Sequence, residues 1–341
     1  MTAAPVLEQS TPVRPLAWAT PLRGLDTTSP PESDAGVRVL RGTKRVSVTD
    51  PYLGGHFPGL TLYPGLFLLE TLRELVTADH EGPTAPPVLR SVRSLRCLAP
   101  LLGGEEFTVR AKVRTADPAG GISVRAEFHR ADGVRAASAN VTFGPEGGRT
   151  PAPEPTEDEQ AHVDAAGADL LEHGVLRSVL PHGWPILLLD RVSVLVPGRE
   201  AVAAKAVTGT EPCYAGLPVG LPAQRYAYPA ALLMESFGQA AAVLWLASPV
   251  AADDDPRAVL MFAAATDCHI DAPAFPGDVL RHVVSLERVV DGTAFATGST
   301  WVDSRRIARW GCFVAVRRPP GSVVPPGRTV STTTAQGDEQ R

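Results

Sequence analysis

Two stretches carry the same signature: LYPGLFLLETLREL (62–75) and AYPAALLMESFGQAAAVLWL (227–246). Each opens on Tyr-Pro, and in each a glutamate stands six residues after the proline, at Glu70 and at Glu235. Upstream, TDPYLGG (49–55) is echoed by TEPCYAG (210–216). An ordered pair of matches in two halves of one chain reads as an internal repeat. Proline suits the first turn of a helix, where its missing N–H would have no partner. The residues that follow are apolar nearly all round, which predicts a buried helix in each copy. Beyond each helix come segments that alternate at period two. EFTVRAKVRT (106–115), ISVRAEFHR (122–130) and RAASANVTF (135–143) follow the first. AVLMFAAATDCHI (258–270), DVLRHVVSLERV (278–289), TAFATGSTWVD (293–303) and RIARWGCFVAVRR (306–318) follow the second. This pattern predicts antiparallel strands with one wet face. The expected class is α+β: a long central helix wrapped by a curved antiparallel sheet, made twice.

The punctuation between the copies divides the chain. FGPEGGRTPAPEPTEDEQ (143–160) is rich in proline and acid, with no apolar period, and reads as a linker. The expected organisation is a disordered tail over 1–12, a first domain over 13–145, a linker over 146–165, a second domain over 166–318 and a second disordered tail over 319–341. A net charge of −5 argues against a nucleic-acid partner and gives no reason to expect an anionic membrane surface. The N-terminus has no basic segment leading into an apolar core, and the longest apolar run, near 240–250, reads as a buried helix rather than a membrane span. The four cysteines, Cys97, Cys213, Cys268 and Cys312, are widely spaced, so neither a zinc site nor a disulfide framework is expected, and a reducing cytoplasm fits.

Glu235 lies among Leu232, Leu233, Met234, Phe237 and Ala240, and Glu70 among Leu66, Phe67, Leu69 and Leu72. A carboxyl group in such surroundings escapes the cost of burial by a raised pKa, which makes it a candidate general acid. The competing reading is a structural glutamate bonded to backbone or facing solvent. His56 sits in GGHFPG (54–59), a frame that presents an imidazole beside the helix start at Gly65. It reads as a general base or as an ordinary turn histidine. The free N–H groups of that helix start could hold an oxygen that gains negative charge.

GHFPGLTLYPGLFLLE (55–70) resembles the active-site segment of the hotdog-fold 3-hydroxyacyl-carrier-protein dehydratases. VLPHGWPILLLDRV (179–192) is similar to that family's opening segment, and FPGDVL (275–280) to its turn between strands. The resemblance covers most of both halves and implies a single-chain double hotdog whose two copies form a pseudo-dimer. It implies removal of water from a 3-hydroxyacyl thioester to give the 2-enoyl thioester, without cofactor or metal. It implies an acyl carrier protein as partner, in fatty-acid or polyketide assembly, with room for a further homo-oligomer and for ketosynthase or ketoreductase partners. In that family the histidine comes from one hotdog and the acid from the other.

Carried over, the resemblance gives the first copy the histidine His56, the helix-start glycine Gly65 and Glu70, but Glu74 where the family has glutamine. The second copy has Glu235 and Gln239, but Ala230 at the helix start, and Leu221 at the count where the histidine belongs. The implied working site pairs His56 and Gly65 with Glu235 and Gln239. The implied degenerate site contains Glu70, Leu221 and Ala230. His182, in the LPHGWP segment, reads as structural, because the family's catalytic histidine is a different one. Two alternatives stay open on the same fold: a thioesterase, and a non-catalytic acyl-binding partner of another dehydratase.

Overall fold

The computed structural model describes residues 11–12, 17–57, 59–79, 86–115, 120–145, 171–247 and 258–319. The expected linker over 146–165 lies outside them, as do most of the two expected tails. Within the first tail, Thr11–Pro12 form a short strand, β1, paired with β2 (Thr27–Thr28).

The first copy continues with β3 (Glu32–Asp34), β4 (Val37–Arg45), helix α1 (Pro51–His56), a 3-10 turn at Gly65–Phe67 and helix α2 (Leu68–Ala78). It closes with β5 (Val88–Cys97), β6 (Glu106–Thr115), β7 (Ile122–Arg130) and β8 (Arg135–Gly144). The second copy runs β9 (Leu171–Glu172), α3 (His173–Val179), β10 (Arg191–Val196), β11 (Glu200–Ala206), two 3-10 turns at Pro212–Tyr214 and Ala223–Tyr226, and the long helix α4 (Ala230–Leu246). Strands β12 (Val259–Ile270), β13 (Val279–Val290), β14 (Thr293–Val302) and β15 (Arg305–Arg318) complete it.

All strands belong to one antiparallel sheet in the order β1-β2-β4-β6-β7-β8-β5-β12-β15-β14-β13-β11-β10-β9, with β3 beside β4. The two copies meet at β5 and β12, where Val92 faces Cys268 and Leu95 faces Ala265. The period-two reading holds along the strands: Phe107, Val109 and Ala111 of β6, with Val124, Ala126 and Phe128 of β7, point inward and are buried. Helix α4 has buried side chains on all sides, because sheet surrounds it and α2 packs against it. Phe237 packs against Trp310 and Phe313 with ring centroids 5.4 and 4.9 Å away. The apolar segment 223–246 is long enough to cross a bilayer, but it is mostly buried inside the protein and serves as the core helix. The four cysteines are unpaired.

One local element differs from the sequence reading. The glycine-framed segment before His56 is helical, not a turn: Pro51 starts α1 and His56 ends it. Gly55 is required there by proximity, since a Cβ would lie 2.5 Å from the Trp184 carbonyl oxygen.

Candidate active site

His56 is delivered by the last turn of α1 and is buried. Its Nδ1 lies 3.0 Å from the Leu62 carbonyl oxygen. A carbonyl only accepts, so Nδ1 carries the hydrogen and Nε2 is left with the lone pair of a base. Burial pulls the imidazole pKa down to about 4, so it is neutral near pH 7.

Glu235 comes from the second turn of α4, in the other copy. Burial raises its carboxyl to about 7, and the hydrogen bond from Gln239 opposes that rise. Gln239, one turn further on, is a clamp. Its Nε2 donates to Glu235 Oε1 at 3.1 Å and to the Ile186 carbonyl at 2.7 Å, and its Oε1 accepts from the Leu188 N–H at 2.9 Å. The LPHGWP loop is thereby fixed to α4. The same loop is tied to the histidine's helix by the Gly183 N–H, which donates to the Gly55 carbonyl at 2.7 Å.

That clamping places His182 inside the site, which the sequence reading missed. Its Nε2 is 3.6 Å from Glu235 Oε1, and its ring centroid is 5.6 Å from that of His56. One nitrogen of each histidine and one oxygen of Glu235 all lie within 4.8 Å of one another. His182 has the same Gly/Pro-flanked setting as His56, which is the signal that could have flagged it.

The three groups line a cavity of about 390 Å³. Gly65 lines it at the start of the 3-10 turn, where a Cβ would come within 2.5 Å of Cys97 Sγ and 3.1 Å of the Phe262 ring. The first N–H groups of a helical segment have no partner within it. Further along α4 the lining is Gly238, Ala241 and Ala242, a face of small residues running away from Glu235 to Trp245. From Glu235 to Trp245 the helix advances roughly 15 Å. His56, Gly65, Glu235 and Gln239 therefore border one cavity, drawn from both copies.

Glu70 is elsewhere. It is buried in the first turn of α2, with Oε1 accepting from the Ala231 N–H at 3.4 Å and Arg73 4.0 Å away. Burial raises its pKa, opposed by Arg73. Ala231 is in the first turn of α4, which Ala230 opens, so a carboxyl oxygen already occupies that helix start. Glu74 Oε2 accepts from the Leu25 N–H, as Gln239 does from Leu188. The Ala19 N–H donates to the Arg225 carbonyl at 2.9 Å, mirroring Gly183 and Gly55. By that pairing Trp18 takes the place of His182 and Tyr226 that of His56. Leu221, reached by counting residues, instead lies half-buried ahead of the 3-10 turn that carries Tyr226.

A neutral imidazole and a carboxyl of raised pKa thus border one cavity in paired hotdogs, an arrangement suited to acid–base chemistry. The fold is shared with solved dehydratase domains. The dehydratase domain from the CurJ module of curacin polyketide synthase aligns over 90% of this chain and 100% of its own, with a TM-score of 0.59 and 12% identity. The bifunctional dehydratase-cyclase domain of ambruticin biosynthesis aligns over 86% and 95%, with a TM-score of 0.53 and 21% identity. No family model matches the chain. Among individual proteins, the 3-hydroxyacyl-[acyl-carrier-protein] dehydratase FabZ of Symbiobacterium thermophilum is 36% identical over 124 residues, which is 36% of this chain and 82% of that protein. The FabZ of Herpetosiphon aurantiacus is 34% identical over 143 residues, 41% of this chain and 93% of that protein. The chain belongs to the FabZ family of 3-hydroxyacyl-[acyl-carrier-protein] dehydratases. An alignment of this length spans about one of its two copies.

Proposed function

We propose that the chain removes water from a 3-hydroxyacyl thioester to give the 2-enoyl thioester, at one composite site built from both copies. The observation that carries this reading is that His56, from the first copy, and Glu235, from the second, border the same cavity. Family membership favours a dehydratase over the thioesterase and binding-partner alternatives. The relatives' names place their substrate on an acyl carrier protein, and we extend that partner to this chain.

The chemistry follows from the protonation states. His56 Nε2 takes a proton from the α-carbon, and negative charge moves onto the thioester oxygen. First-turn N–H groups at Gly65 stabilise that oxygen as the charge develops. The C–O bond at carbon 3 breaks with its electron pair going to oxygen, and Glu235 supplies the proton that completes water. His56 is then cationic and Glu235 anionic, and transfer of one proton from the first to the second restores the enzyme. Burial keeps His56 neutral and raises the Glu235 carboxyl to about 7, so that a protonated fraction persists near neutral pH, which is the division of labour elimination needs. Gln239 holds the acid in place. The acyl chain extends along the small-residue face toward Trp245. An extended chain advances about 1.2 Å per bond, from the polypeptide's reach over three bonds per residue. The channel thus accepts on the order of a dozen bonds.

Glu70 takes no part in this scheme. Among the described residues its surroundings have no imidazole at the equivalent place, and the N–H of Ala231 is already engaged. The test is mass spectrometry of a panel of carrier-bound 3-hydroxyacyl chains after incubation with the protein. Loss of water supports the reading. Released free thiol, or no change across the panel, overturns it.

A further inference from the structure

Beside His56 and Glu235 stands an imidazole that the elimination scheme does not use. His182 is nine-tenths buried, its side chain 10% exposed; its Nε2 lies 3.6 Å from Glu235 Oε1, beyond hydrogen-bond length, and its Nδ1 has no hydrogen-bond partner among the described residues. A buried imidazole nitrogen without a partner costs free energy unless a bound molecule supplies one. The loop that carries it is held at three points, by Gln239 through Ile186 and Leu188 and by Gly55 through Gly183. Its position is therefore set by the same contacts that set Glu235 and His56.

The size of the triangle formed by His56, His182 and Glu235 decides what fits in it. With edges within 4.8 Å, the centre lies at most about 2.8 Å from each corner, the length of an ordinary hydrogen bond to oxygen. An oxygen atom at the centre would be within hydrogen-bond reach of all three groups, whose His182–Glu235 edge is 3.6 Å. We infer that His182 is a third catalytic residue, which binds the departing 3-hydroxyl oxygen, and then the product water, in a hole shared with Glu235 and His56.

This rests on the dehydratase reading of the site and adds to it a group dedicated to the leaving oxygen. Burial holds the His182 imidazole neutral, with its pKa down to about 3, so it gives a hydrogen bond and not a proton. The N–H of His182 donates to the hydroxyl oxygen and aims the other lone pair at the Glu235 proton. As the C–O bond breaks, negative charge builds on that oxygen and the hydrogen bond strengthens, which is what accelerates a step.

The experiment separates departure of the hydroxyl from abstraction of the α-proton. Two pantetheine thioesters are compared, 3-hydroxybutyryl and 3-chlorobutyryl. The second loses its α-proton to His56 while chloride leaves with the bonding pair, and needs no proton from Glu235. In His182→Leu, dehydration falls about 10²-fold, the loss typical of one removed donor, while loss of chloride falls less than about threefold. His182→Gln, which keeps an N–H, recovers at least about tenfold of the dehydration rate. The inference is overturned if dehydration is unchanged in His182→Leu, or if both reactions fall in the same proportion in protein with wild-type thermal unfolding. Should the leucine variant not fold, His182→Phe carries the same comparison with a ring of similar shape. A wild-type protein that dehydrates no hydroxyacyl thioester overturns the dehydratase reading itself. A wild-type protein that dehydrates, with variants that break the pattern, overturns only the role of His182.

Discussion

Replacing each of the two helix glutamates by glutamine tests which of the two carboxyls takes part in the reaction. Glu235→Gln removes the proton that water needs but keeps the side chain's shape and its place beside Gln239. General acid–base groups contribute about 10²–10⁴-fold, and a loss near the middle of that range, ~10³-fold, is roughly 4 kcal/mol on the barrier. Glu70→Gln is different. Its amide oxygen still accepts from the Ala231 N–H, now 3.4 Å from Oε1. The change gives up the attraction to Arg73, 4.0 Å away, and also the burial of a carboxyl whose Oε2 has no hydrogen-bond partner among the described residues. These effects oppose one another, and the expected stability change is within about 1 kcal/mol. The assay is appearance of the conjugated enoyl thioester by absorbance, with thermal unfolding measured in parallel. The account expects Glu235→Gln to lose about 10³-fold in kcat with little change in unfolding, and Glu70→Gln to stay within about threefold of wild type. A folded Glu70→Gln protein as inactive as Glu235→Gln would refute the assignment.

Four further outcomes follow from the geometry. The pH profile of kcat/KM is bell-shaped, falling below about 4 as His56 gains a proton and above about 7 as Glu235 loses one. In Gln239→Leu the ionised carboxylate loses a hydrogen-bond donor, so the alkaline limb moves to higher pH while the maximal rate falls; a limb that moves down would contradict the clamp. Gly55→Val forces a Cβ that would sit 2.5 Å from the Trp184 carbonyl oxygen, so unfolding stability drops by about 1–3 kcal/mol and dehydration drops with it; unchanged unfolding would show that the two loops are not held together as described. Gly238→Leu fills the channel one turn past Glu235, and kcat/KM for a twelve-carbon substrate falls at least about tenfold more than for a four-carbon one. Equal losses for both chain lengths would place the acyl chain elsewhere.

The repeat was legible because Tyr-Pro and the glutamate six residues later survive in both copies, and because buried helices and half-wet strands have different periods. The cross-copy origin of the proposed pair came from the resemblance, applied to losses visible in the sequence: His56 has no counterpart in the second copy by count, and Glu74 replaces a glutamine in the first. Three features were not legible. The join of β5 to β12 leaves no mark, since a strand's outward edge has no periodicity of its own. The role of His182 depends on a loop clamped by Gln239, which stands 57 residues further along the chain. Tyr226, rather than Leu221, takes the place of His56 because it stands nine residues before Glu235 where His56 stands fourteen before Glu70, so a count of fourteen taken back from the glutamate overshoots it. Only the paired backbone bonds of Ala19 with Arg225 and Gly183 with Gly55 restore it.

The most direct test of a single composite site is a crystal structure of the Glu235→Gln variant soaked with a long-chain 3-hydroxyacyl pantetheine thioester. The account predicts one bound acyl chain per polypeptide, its thioester oxygen at the Gly65 turn, its α-carbon facing His56 and its 3-hydroxyl between His182 and position 235. An acyl chain seated against Glu70, or one in each half of the molecule, would contradict it.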